Sequence, residues 1–461
     1  MVRSCQGVAN GDIVAMPAIF TQHPFMSQPA LNACDEHAMV NAMLAFELAL
    51  AEVQETSGAV PAGVSQQMRH QLENATFSVA TIADGIASGG NVAIPFVKQG
   101  RALLADDLKR YWHQGATSQD VVDSALMLLL KPRLAALDNL LKRCRLAALA
   151  LMDTHIDTPM VGRTLMQQAL PITFGVKVAH WAVGLEQSRR RLGTVELPVQ
   201  FGGAVGVHSG WDTLGLEWMD ALAARLGLAV PVLPWHTDRY PIHALGTALD
   251  AVAGAAEKIA LDVSLLTQTE VGEVAEPSAP GMGESSSMPH KRNPVRCALI
   301  RGAARQVHGH TGVLINAAAH PLERGLGEWH AEWAPLMESA LLLEGALEQV
   351  AVLLEGLEVH SDNMLRNLAA TGGGIMAEPV ARLLTPYLGA DAAKAVSAAA
   401  AETSRREARP YSEVLADVLA EHPDINGQVD GEALRQACDP ALYLGSSQAQ
   451  VERAKSWLNS I

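Results

Sequence analysis

The residues best equipped for chemistry stand together in Gly281–Pro294 (GMGESSSMPHKRNP), between two long helical patterns. Gly281 and Gly283 give the backbone access to positive φ. Three hydroxyls follow at Ser285, Ser286 and Ser287, then Met288, then the cationic run His290, Lys291 and Arg292. Asn293 and Pro294 close the stretch, with Pro294 suited to the first turn of the next helix. Free N–H groups at that helix start, with Lys291 beside them, form a ready anion site. Hydroxyls and cations packed next to glycines read as a loop that closes over an anionic substrate; a plain Ser/Gly-rich surface loop is the alternative.

Three further segments carry pointed chemistry. His113–Asp120 (HQGATSQD) sets polar groups at the start of a long helix. Capping by Ser118, with Asp120 and Asp123 in the first turn, accounts for part of it but not for His113 or Thr117. Gly162–Pro171 (GRTLMQQALP) is, from spacing alone, as readily a loop before a helix as part of a site. Gln268–Val274 (QTEVGEV) offers Glu270 and Glu273, which orient a base or are solvated; solvation is favoured for either alone. On the helix after the loop, Arg296, Arg301 and Arg305 are anion ligands or subunit salt bridges, Arg301 and Arg305 sharing a face. His308–Gly309–His310 is a weak metal hint without an HExxH pattern. Gly202–Gly206 has no strand before it and so is no phosphate cradle.

The elements that must position these groups are helical. The chain has 461 residues, 49% hydrophobic but only 4% aromatic. Alanine and leucine at that frequency suit close-packed helices and not a sheet sandwich. The pattern predicts an all-α fold of three helical domains, 1–112, 113–360 and 361–461, without the βαβ alternation of a dinucleotide fold. Long helices are expected over about Ser118–Thr154 (kinked at Pro132), Pro171–Thr194, Ile242–Val274, Pro294–Ala319 and Glu328–Leu357, with a shorter one over Pro95–Tyr111. Stretches such as Ser124–Leu130 and Ile259–Leu266 are apolar around most of the circumference and need cover on all sides. Five such rods in one chain point to a shared, oligomeric bundle.

A net charge of −15 argues against nucleic acid or an acidic membrane as partner and leaves anion binding to local cations. Five scattered cysteines without metal or redox spacing read as reduced thiols in a cytoplasmic protein. No secretory h-region and no run of about 20 apolar residues is present.

The run Ser285–Pro294 resembles the long SSxMPxKxNP signature of the fumarase/aspartase superfamily. The three other segments, with LPVQFGGA and the Glu328–Trp333 stretch EWHAEW, are similar to its remaining conserved regions, most of all in its lactonising, carboxymuconate branch. The resemblance implies an all-α subunit with a long central bundle, four copies joining in a homotetramer with a 20-helix core. It implies active sites shared between subunits, a small polycarboxylate substrate and chemistry without a cofactor. It places the catalytic base at Ser285. Lys291 and Asn293 would bind carboxylates, and Thr117, Ser118, Thr164, Gln167, Ser286, Met288 and Arg296 would line the site, with His113 as the available acid. Two positions depart from the pattern. Glu284 stands where the family has glycine, and Leu165 stands where amine-releasing members carry a histidine acid. An amine must be protonated to leave. A carboxylate, with a pKa around 4, leaves without help. Leu165 therefore points to intramolecular lactone chemistry. Elimination from a succinyl-type substrate, with His113 as acid, and a catalytically silent homologue are the alternatives.

Overall fold

The computed structural model describes residues 25–278, 283, 288, 290–422, 425 and 427–460. Ser285, Ser286 and Glu284 lie outside the described residues. In chain order, α1 (Gln28–Asn32), α2 (Glu36–Thr56), α3 (Val64–Leu72), α4 (Val79–Gly89) and α5 (Ala93–Leu103) come first. Then follow α6 (Ser118–Thr154), the hairpin strands β1 (Pro159–Thr164) and β2 (Gln167–Thr173), α7 (Phe174–Gly193), α8 (Leu214–Leu226) and α9 (Tyr240–Leu266). Next come β3 (Val274–Ala275), α10 (Val295–Ala317), α11 (Glu328–Glu355) and β4 (Glu358–Val359), which pairs antiparallel with β3. The tail holds α12 (Ser361–Leu368), α13 (Ala377–Leu388), α14 (Ala390–Glu407), α15 (Tyr411–Glu421), α16 (Gly431–Cys438) and α17 (Ser447–Asn459).

Helices α6, α7, α9, α10 and α11 are the bundle. Side-chain pairs fix its directions. Trp329 meets Asp123, Arg133 meets Glu344 and Arg143 meets Glu355, so α6 and α11 run parallel. Arg189 of α7 reaches back to Asp138, so α7 runs down as α6 runs up. Leucines such as Leu130, Leu249, Leu343 and Leu347 are fully buried between these rods, each contributing about 1.5–3 kcal/mol of transfer free energy. The expected all-round burial holds over Ser124–Met127, but Leu261 of α9 and Val313 and Ile315 of α10 stay exposed on a single chain. A second, smaller apolar cluster gathers Met376, Val380, Leu384, Tyr411 and Leu415 of the tail, while α17 returns to pack on α7. Among the described residues no helix is long and apolar enough to cross a membrane.

Several expected boundaries move. The helix expected from Pro171 starts at Phe174, because residues 159–173 form an antiparallel hairpin. The helix expected to Val274 stops at Leu266, and the one expected over Pro95–Tyr111 ends at Leu103, with a separate 3-10 turn at Lys109–Tyr111. Pro132 lies inside one continuous α6.

Candidate active site

At the start of α6 the N-cap is Thr117, not Ser118, which is the first helical residue. Thr117 N–H donates to Asp120 Oδ2 at 2.9 Å. Asp120 is fully buried and does more than cap: it also accepts from Gly202 N–H, Gly203 N–H and His236 Nε2, the last at 2.7 Å. The glycine loop flagged in the sequence therefore does present its amides to an anion, and the anion is Asp120. Gly203 has φ +71°, and a Cβ there would stand 3.0 Å from Gly115 O, so glycine lets the two loops touch. One turn on, Asp123 binds Arg239, which also binds Glu332, all three buried. Such a triad is costly to desolvate and severe to break.

Arg324, in the loop before α11, donates to Gln119 Oε1 at 2.9 Å and to Ala204 O at 2.7 Å. Both acceptors are neutral, so among the described residues no carboxylate cancels this charge beside Thr117 and Ser118. His113 has φ +60° and its Nδ1 lies 2.6 Å from Glu47 Oε1. Burial pulls the His113 pKa down. The charge and hydrogen bond of Glu47, helped by Asp120, outweigh burial and leave the pKa above its ordinary value.

The hairpin and the signature stretch form the opposite end. Thr164 pairs with Gln167 across a two-residue tip, Leu165–Met166, with φ of +50° and +64°. Both central residues positive is the type I′ geometry that asparagine and glycine favour. Leucine and methionine hold it at a cost on the order of 1–3 kcal/mol each. The tip is bare: Leu165 is 96% exposed. Thr164 and Gln167 are exposed beside it. At the hairpin's base Arg163 donates both Nη groups to Glu273, at 2.9 and 2.7 Å, and Asn367 adds a third bond to the same carboxylate. Glu273, for which solvation was the favoured reading, is fully buried; Glu270 is exposed.

The anion site expected at the start of α10 is already filled. Glu276 accepts from Arg296 N–H at 3.0 Å and Cys297 N–H at 2.7 Å, a negative charge at a positive helix end. Arg296 is buried with its guanidinium on Gln349, engaged within the bundle. Arg292 is spent on Glu358 and on Glu276 O. Asn293 donates its backbone and side-chain N–H groups to Gly283 O, closing the stretch on itself. Lys291 is left exposed, with no ion pair among the described residues, its N–H on Met288 O. Of the cations the sequence offers here, Arg292, Arg296 and Arg305 are engaged within the chain, while Lys291 and His290 are exposed with no ion pair among the described residues.

The two ends do not meet within one chain. They are separated by the 37 residues of α6, about 55 Å at 1.5 Å per residue. A six-residue strand folding back recovers only about 20 Å. His113, Thr117, Ser118 and Arg324 thus stand at one end, and Thr164, Gln167, Met288, Lys291 and Asn293 at the other. Reasoning from sequence passed over Glu47, Asp120 as a clamp, His236, Arg239 and Arg324. Arg163 and Glu332 lay in plain view inside GRTL and EWHAEW. Among the described residues no group of three His, Cys, Asp or Glu side chains could hold a metal ion.

Known proteins place these features in a family. A family model described as "Lyase" matches residues 13–309. A 3-carboxy-cis,cis-muconate cycloisomerase of Pseudomonas aeruginosa is 41% identical, over 93% of this chain and 94% of the relative. A nitrosuccinate lyase of Streptomyces davaonensis is 39% identical, over 92% of each chain. The solved 3-carboxy-cis,cis-muconate lactonizing enzyme of Pseudomonas putida superposes with a TM-score of 0.89 at 37% identity, covering 96% of this chain and 99% of its own. With that match, the helical bundle and the signature stretch together, the chain belongs to the lyase family of the fumarase/aspartase superfamily.

Proposed function

We propose that this chain is an intramolecular lyase, a cycloisomerase that lactonises 3-carboxy-cis,cis-muconate to a carboxymuconolactone in aromatic catabolism. One carboxylate oxygen adds across a conjugated double bond. The C–O bond forms as the π bond breaks, and the electron pair spreads into a neighbouring carboxylate as an aci-carboxylate. A proton delivered to the adjacent carbon completes the lactone. Ser285 is the proposed proton carrier, donating in this direction and accepting in reverse. Developing charge of this kind requires donors and cations already in place. Lys291, Ser286, Met288 and Asn293 supply one side of the pocket. Thr117, Ser118, His113 and Arg324 supply another, and Thr164 and Gln167 the hairpin side.

The observation that carries the reading is the hairpin tip. Leu165 and Met166 put no proton donor between Thr164 and Gln167. A carboxylate nucleophile needs no proton when it departs in reverse, so such a site suits lactone chemistry. The separation of the two ends along α6 supports completion of each site between subunits of a homotetramer, with five long helices per subunit forming the 20-helix core. Four unpaired cysteines among the described residues support a reducing, cytoplasmic setting.

A second reading is favoured by the same leucine: elimination from a nitrosuccinate-type substrate also expels an anion that needs no proton. Arg324, a cation beyond those a dicarboxylate requires, favours the triacid. Purified protein mixed with 3-carboxy-cis,cis-muconate is expected to bleach the diene absorbance, and Ser285→Ala to abolish the bleaching. No turnover of the triacid, with release of fumarate from nitrosuccinate, would replace the first reading by the second.

A further inference from the structure

Two side chains of α2, seven residues apart and so on one face of the helix, take hold of the segment that leads into α6. Glu47 Oε1 lies 2.6 Å from His113 Nδ1. Gln54 Nε2 donates to Gln114 O at 2.7 Å. Both α2 residues are buried, at 1% and 0% exposure, and the second carboxylate oxygen of Glu47 has no partner. A non-glycine residue stays in the left-handed region only where its surroundings fix it. These two bonds tie His113 and Gln114 to α2.

A buried carboxylate is expensive unless it is paired. Glu47 meets that requirement through one ring nitrogen alone. The other, Nε2, has no hydrogen bond to the described residues. The His113 side chain is 21% exposed, so that open nitrogen is within reach of a ligand. A carboxylate that holds Nδ1–H and leaves Nε2 free is the arrangement by which an orienting acid sets a working imidazole.

We infer that Glu47 is a positioning residue: it accepts Nδ1–H of His113 and turns Nε2 to a substrate carboxylate at the start of α6. The inference rests on the proposed reading of this end as substrate-binding. The charged groups that bear on the ring are few. Glu47 comes from α2 and Asp120 from α6, and Asp120 is already bound by His236 and three backbone amides. Across the adjoining loop, His208 is buried on Phe201 O and Asp212 is exposed. Arg324 is held on Gln119 and Ala204. Glu47 is therefore the group whose removal changes the charge state of His113.

The test titrates His113 by NMR in protein carrying ¹³C-labelled histidine, the resonance being assigned by its loss in His113→Gln. In Glu47→Gln the His113 pKa is expected to fall by about one unit or more, a tenfold change in the protonation equilibrium. With the triacid, the high-pH limb of kcat/KM moves to lower pH in the same variant, chiefly through KM, and Glu47→Asp restores part of it. Gln54→Ala, which loosens the segment without touching the charge, leaves the pKa where it was. An unchanged His113 pKa in Glu47→Gln overturns the inference. So does an equal fall in Gln54→Ala, since anchoring rather than charge would then set the ring. In the His113→Gln background, a further full loss on adding Glu47→Gln also overturns it. The titration is read on resting protein, so a shifted pKa without turnover of the triacid retires the substrate reading and leaves the pairing intact.

Discussion

The two ends of the bundle are built on opposite principles. At the start of α6 the buried charges are paired: Asp120 with four donors, and Arg239 between Asp123 and Glu332. At the hairpin end only the base is locked, by Arg163 and Asn367 on Glu273 and by Arg292 on Glu358. Beyond those locks stand Leu165, Met166, Thr164, Gln167 and Lys291, bare on a single chain. One end is preorganised by its own residues. The other offers a rigid base and open side chains, which is what a surface completed by another subunit requires. Electrostatic catalysis gains most from groups that need no reorganisation, and the fold concentrates its buried charge at the start of α6.

The largest expected effect breaks the preorganised end. Asp123→Ala leaves Arg239 buried with half its charge unmet and is expected to destabilise the fold by about 3–5 kcal/mol, read as a fall in denaturation midpoint. Glu358→Ala, which frees the exposed Arg292 at the other end, is expected to cost about 0–1 kcal/mol. Equal costs would erase the contrast. Next in size, Lys291→Ala removes a cation that has no ion pair among the described residues and is expected to lower kcat/KM for the triacid by about 10²–10³-fold, with stability unchanged; Arg292→Lys, altering a cation already paired with Glu358, is expected to cost much less. The smallest effect sharpens the picture of the tip. Leu165→Gly relieves a left-handed leucine and is expected to stabilise the protein by up to about 1 kcal/mol if the tip stays uncovered. A loss of stability instead would show that a partner subunit covers that side chain.

The pH profile separates the ends as well. With its pKa raised in the folded protein, the charged His113 contributes stability that is fully present below the ordinary imidazole value and is lost as pH rises through the folded value. Binding that depends on imidazolium fails over the same window. Wild-type kcat/KM is therefore expected to decline on its alkaline side, and His113→Gln to lose that limb.

How much of this was legible follows from where the determinants lie. The five long helices were, because heptad-scale apolar spacing survives in a single sequence; α6 and α11 begin where expected. The hairpin was not, because Leu165–Met166 is not a turn sequence, and the Arg163–Glu273 pair at its base joins residues 110 apart. Lys291 was legible as a cation, but its freedom was not. That depends on Glu276 and Glu358 consuming the helix start and Arg292, and Glu358 is 66 residues away. Glu47 and Gln54 carry no local signal at all; their partners lie 66 and 60 residues on, at the strained entry to α6.

On the proposed reading, the two ends of one chain belong to different sites and make a complete one only between subunits. Two variants test it directly, Thr117→Ala at the α6 end and Lys291→Ala at the hairpin end, each impaired alone, unfolded together and refolded as mixed oligomers. If each site draws its ends from different subunits, an equal mixture assembles about a quarter of its sites without either lesion and recovers about that share of wild-type turnover. A mixture no more active than its two parents would contradict the account.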